Sequence, residues 1–121
     1  MKNDYLEIYD DFLKDYQKNI ADPMLASELL AKLTQLYTGY NMAMVATSRR
    51  LSLVARDIEM RVDDNGKQIS SAKAVVLVEA TDEMFEYKTA RAHVQNIEQL
   101  INSIKTIARL ITNEYSVMGN I

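Results

Sequence analysis

Cysteine is absent from this chain of 121 residues. That excludes disulfides, thiolate nucleophiles and sulfur-ligated zinc, and it fits a reducing compartment. His93 is the only histidine, so no multi-histidine metal site can form. A Glu-x-x-His di-iron pair is excluded as well, because Ala90 stands three residues before it. One proline and three glycines are too few for the turns of an all-β chain. Gly39, Gly66 and Gly119 each stand alone, which leaves no glycine-rich phosphate loop. No apolar run approaches the roughly 18 residues of a membrane span, and the first turns lack the basic-then-apolar order of a signal peptide. These absences lead us to expect a soluble, cytoplasmic protein without a membrane contact.

Charge of either sign is also scarce in excess: the net value is −3. Its distribution is uneven. Residues 1–28 carry seven acids against Lys2, Lys14 and Lys18, whereas residues 29–91 are mildly basic. Hydrophobic residues make up 48% of the chain, enough for one domain with its own core.

Apolar residues are present in a strict order. Tyr87, Ala90, Val94, Ile97, Ile101, Ile104, Ala108, Ile111, Tyr115 and Met118 step by three and four without a slip. Ala26, Leu30, Leu33, Tyr37, Tyr40, Met44, Thr47, Leu51, Val54 and Ile58 do the same upstream. A mean repeat of about 3.5 is the mark of helices that interlock side by side. Asp63-Asp64-Asn65-Gly66 lies between the ladders. The expected fold is all-α: a long antiparallel, coiled-coil-like helical hairpin with an additional N-terminal amphipathic helix. An elongated hairpin buries little surface per residue, so we expect it to complete its core as a homo-oligomer.

The first helix is predicted over residues 4–19, from Tyr5, Tyr9, Phe12 and Tyr16 at helical spacing. Asp22 before Pro23 suits a cap and a first helical position, starting a helix over 23–62. Gly39 marks either a kink in that helix or the close approach of a neighbouring backbone. The turn is placed at 63–70; Asn65-Gly66 also suits a β-hairpin, but the alternation upstream of it is poor. A short helix over 71–80, capped by Ser70 or Ser71, is either separate from or joined to a last helix over 82–117 that begins at Thr81 or Asp82.

Nothing in this pattern assembles a catalytic set. The serines sit in no nucleophile motif, and Glu79, Asp82, Glu83 and Glu86 read as a solvated helix start. We therefore expect no catalytic residue, metal site or cofactor, and no enzymatic activity.

Arg49, Arg50, Arg56, Arg61, Lys67, Lys73, Lys88 and Arg91 are more informative. If residues near 62 pair with those near 82, Arg56 falls opposite Lys88 and Arg50 opposite Val94. Arg49, Arg50, Arg56, Lys88 and Arg91 then gather along one side of the hairpin, as phosphate contacts require, and Lys67 and Lys73 at the turn are further candidate contacts. The competing reading is ordinary ion pairing with Asp57, Glu59, Glu83 and Glu86. Tyrosine, at seven residues against two phenylalanines and no tryptophan, suits interfaces. Tyr37 and Tyr40 fall on the ladder, while Tyr5, Tyr9, Phe12 and Tyr16 are expected to cover the hairpin or a neighbouring subunit. Met42 and Met44 suit adaptable packing.

From Met42 to Leu110 the chain resembles small helical phage proteins that accompany recombination and replication genes. The similar features are the basic helix with Arg49, Arg50 and Arg56, the turn Asp63–Lys67, the entry Ser70-Ser71-Ala72-Lys73-Ala74, and the tract 96–105. The recombination mediators typified by UvsY are the family it looks like. The resemblance implies an oligomer that binds single-stranded DNA, helps a recombinase to load, and resides in the cytoplasm of an infected bacterium. The alternative is a protein–protein module, either a virion or assembly component or an inhibitor docked on a host defence enzyme.

Overall fold

The computed structural model describes the backbone of residues 4–17 and 23–119, with the side chains of 5–14, 24 and 26–110. Tyr16, the cap at Asp22, the end of the first predicted helix beyond residue 17, and the side chains of Ile111, Tyr115 and Met118 lie outside these. Four helices follow in order: α1 (Asp4–Gln17), α2 (Pro23–Glu59), α3 (Ser71–Glu79) and α4 (Asp82–Gly119). The fold is all-helical, and α2 and α4 pack closely as a helical hairpin. No described helix is long and apolar enough to cross a membrane.

Two compact units divide the chain, and both long helices pass through each of them. Unit 1 holds residues 1–39 and 95–121, and unit 2 holds Tyr40–Val94.

Unit 1 is built where the two ladders meet α1. Tyr5 and Phe12 of α1, Ala26, Leu29 and Leu33 of α2, and Ile97 and Ile104 of α4 are all buried. Each large side chain removed from water contributes about 1.5–3 kcal/mol, which outweighs the modest helix propensity of the tyrosine- and isoleucine-rich segments. Asn96 donates a hydrogen bond of 3.5 Å to the Tyr5 hydroxyl, which ties α1 to α4. Tyr37 donates one of 3.0 Å to the Glu98 carboxylate, linking α2 to α4.

Unit 2 continues the same ladders with Tyr40, Thr47, Ile58, Ala90 and Val94, and adds Ala74 of α3. The rings of Tyr40 and His93 lie 5.1 Å apart, tilted by 41°. Thr47 is a polar residue at a buried position. Its hydroxyl is satisfied by donating to the carbonyls of Ala43 and Met44 at 3.0 and 2.9 Å.

Local chemistry explains where the helices stop. α2 ends at Glu59, short of 62, because Val62 is drawn into an antiparallel bridge with Gln68. The Gln68 side-chain amide caps the end by donating to the Glu59 carbonyl at 2.7 Å. Inside the loop, the Asp63 carboxylate accepts from the backbone of Asn65 and Lys67 at 2.8 and 2.9 Å. The Gly66 amide bonds the Asp63 carbonyl at 3.0 Å, with Gly66 at φ 79°. Asn65-Gly66 thus turns a one-bridge hairpin between helices, a role that the weak alternation upstream conceals. Ser70 caps α3, accepting from Lys73 at 3.1 Å. Thr81 separates α3 from α4 by donating to the Val78 carbonyl at 2.7 Å and accepting from the Met84 amide at 3.2 Å.

Gly39 lies inside a continuous α2, and a Cβ built there would meet nothing within 4 Å. It is therefore not a point of close backbone approach.

Candidate interaction surface

Arg49, Arg50, Arg56, Lys67, Lys73, Lys88 and Arg91, the candidate phosphate contacts, all lie in unit 2, and all are exposed. They divide into two groups. Arg50 pairs with Glu86 at 3.5 Å, and Lys88 pairs with Glu79 at 2.8 Å. Arg49, Arg56, Lys67, Lys73 and Arg91 form no ion pair among the described residues. Arg61 reaches Asp57 at 3.9 Å on its own helix. Such exposed pairs are each worth about 0–1 kcal/mol, so they answer local charge without rigidly fixing it.

These pairs correct the expected register. Arg50 is level with Glu86, not with Val94, so α4 is displaced by eight positions, from 94 to 86. At this level the end of α2 lies beside α3. Ala55 and Glu59 share with Ala74, Val75 and Val78 an open groove of about 430 Å³. Arg56 consequently does not face Lys88, whose partner Glu79 ends α3.

The residues expected at an oligomer or partner interface are mostly occupied within the chain. Tyr5, Phe12 and Tyr40 are buried, so they offer no surface to a partner. Tyr9 and Tyr37 are half-buried. Tyr37 is held by Glu98, and this hydrogen bond, followed by the carboxylate's negative charge, raises its pKa above the ordinary 10.0.

A different set of side chains is available. Met42, Val45, Leu53, Met60, Val62, Val75, Val76 and Phe85, all in unit 2, are large apolar groups left exposed; Leu6, Met24 and Leu110 are their counterparts in unit 1. Four of the unit 2 group form a line with two arginines: Met42, Val45, Arg49, Leu53, Arg56 and Met60. At about 100° per residue these six fall within an arc of about 80°, diametrically opposite the inward ladder of Tyr40, Met44, Thr47, Leu51, Val54 and Ile58, whose members are buried or half-buried. Met42 is 68% exposed and Met60 71%. From Tyr40 to its end, α2 therefore has two apolar faces, and only one of them is covered. The signal was present in the sequence as a second three-and-four spacing, shifted by two residues from the ladder.

Among the described residues, no group of three or more His, Asp or Glu side chains is placed to hold a metal. The groove beside α3 is lined by the apolar Ala55, Ile69, Ala74, Val75 and Val78 together with Glu59 and Glu79. Glu79 of this lining is paired with Lys88. This arrangement is chemically suited to contact: apolar area to exclude water, and charge to select a partner. No protein-family model matches the chain, and comparison with curated proteins and with solved structures found no match.

Proposed function

We propose that the chain is a non-enzymatic helical accessory protein that acts by contact, binding a protein partner through the exposed surface of unit 2. The carrying observation is the concentration of exposed large apolar side chains there, set among the unpaired Arg49 and Arg56. Exposed apolar groups that form a continuous helix face are characteristic of recognition surfaces, whereas isolated ones are ordinary. The setting implied by the sequence resemblance is DNA recombination or replication in a phage-infected bacterium. In that setting the partner is a recombinase or a host protein.

Photo-crosslinking tests this reading. A photoreactive residue is placed at Val76 or Phe85 of unit 2, with Met24 and Leu110 of unit 1 as controls, in the producing cell. Protein adducts confined to the unit 2 positions support it. Equal adducts from unit 1, or none from unit 2, overturn it.

A second reading, single-stranded DNA binding, is favoured by the five exposed cations that form no ion pair. Backbone phosphates would be met by Arg49, Arg56, Lys67, Lys73 and Arg91, while Arg50 and Lys88 must first leave their carboxylates. Fluorescence anisotropy with a labelled oligonucleotide across a salt series decides it. Affinity that falls steeply with salt supports phosphate contacts, and no binding at low salt removes this reading.

A further inference from the structure

We infer that the uncovered face of α2 is a docking site for helix α1 of a second copy of this chain, held by acid on α1 and arginine on α2. The inference deepens the contact reading of unit 2 and rests on it, by naming the occupant of one part of that surface.

The argument is one of complementary faces. Met42, Val45 and Leu53 of α2, with Met60 just past its end, form the exposed apolar line, and the charges within it are Arg49 and Arg56. These arginines stand seven residues apart, about two helical turns, and neither has an ion-pair partner among the described residues. On α1, Tyr5 and Phe12 face the core, which leaves Leu6, Glu7, Asp10, Asp11 and Lys14 exposed on the other side. Glu7, Asp10 and Asp11 form no ion pair among the described residues either. The chain therefore displays an acidic helix face with an apolar residue, and an apolar helix face with two arginines.

Each face lacks within its own chain what the other supplies. An acidic helix laid along the stripe covers apolar groups and gives both arginines carboxylate partners in a partly dehydrated contact. Opposite charges there contribute more than they do in open water. Two stripes laid together would instead bring arginine against arginine, which disfavours a symmetric α2–α2 contact.

Charge exchange tests the inference on the full chain. One variant carries Arg49→Glu and Arg56→Glu, and the other carries Asp10→Lys and Asp11→Lys. All four sites are exposed, and circular dichroism verifies that both variants remain helical. Sedimentation velocity of the native chain should show a self-associated species that weakens as salt rises. Each variant alone should be monomeric, since acid would face acid in the first and base would face base in the second. Mixed in equal amounts, the two should associate again, because every contact between unlike copies then joins opposite charges. A monomeric native chain, association that survives in either variant alone, or a mixture that stays monomeric overturns the inference. The broader contact reading fails separately, through the crosslinks from Val76 and Phe85, which lie on α3 and α4 away from the stripe.

Discussion

Arg50 of α2 and Glu86 of α4 meet at 3.5 Å and mark the level at which the two long helices lie side by side in unit 2. Both side chains are more than half exposed, so the pair reports the register more than it creates it. A double-mutant cycle with Arg50→Ala and Glu86→Ala should give a coupling of a few tenths to about 1 kcal/mol in chemical denaturation. Arg50→Ala combined with Val94→Ala should be additive. The reverse pattern would restore the register in which Arg50 faces Val94.

The ladders should dominate stability. Leu33→Ala and Ile97→Ala each remove a fully buried side chain from unit 1, and each should cost about 2–5 kcal/mol. Met42→Ala and Leu53→Ala, on the uncovered face of α2, should change the stability of the monomer by less than about 0.5 kcal/mol. Urea unfolding measured at a concentration where the chain is monomeric checks both. Equal costs on the two faces would mean that the stripe is part of the core.

Two glycines should respond in opposite directions to alanine. Gly39 is exposed within α2 and has open space around it, so Gly39→Ala should stabilise by about 0.5–1 kcal/mol. Gly66 adopts φ 79°, where a Cβ is strained, so Gly66→Ala should destabilise by about 1 kcal/mol. Thermal melts of the two variants give the comparison directly.

Tyr37 should ionise later than an ordinary tyrosine. Its hydroxyl donates to Glu98, so losing the proton removes the hydrogen bond and sets two negative charges together. The folded pKa is raised, hence the link is intact below the unfolded value of 10.0 and is lost as pH climbs through the higher folded value. The ultraviolet titration difference between the native chain and Tyr37→Phe should show this phenol titrating above 10.0, and Glu98→Gln should bring it back down.

The burial pattern of the hairpin was readable because a ladder position must face the core wherever its helix runs. Ala26, Leu33, Tyr40, Thr47 and Ile58 are buried on α2, as are Ala90, Val94, Ile97 and Ile104 on α4. Register was not readable for a related reason. A seam that repeats about every seven residues meets its partner almost equally well after a slide of one repeat, and the displacement from Val94 to Glu86 is close to that. At the observed level the end of α2 lies beside α3, where Ala55 lines one groove with Ala74, Val75 and Val78, a tertiary arrangement that no local pattern encodes. The expected pairing of Arg56 opposite Lys88 depended on that level, and Lys88 instead meets Glu79. For the tyrosines composition left two roles open, interface or packing, and Tyr5 and Tyr40 take the packing one, enclosed within the chain itself.

The opposition of the two faces of α2 has an evolutionary corollary. Positions 40, 44, 47, 51, 54 and 58 answer to folding, while 42, 45, 49, 53, 56 and 60 answer to whatever lies outside. Substitutions can accumulate on the outer set without loosening the inner one. Such a helix can acquire new affinities while its descendants keep the same architecture.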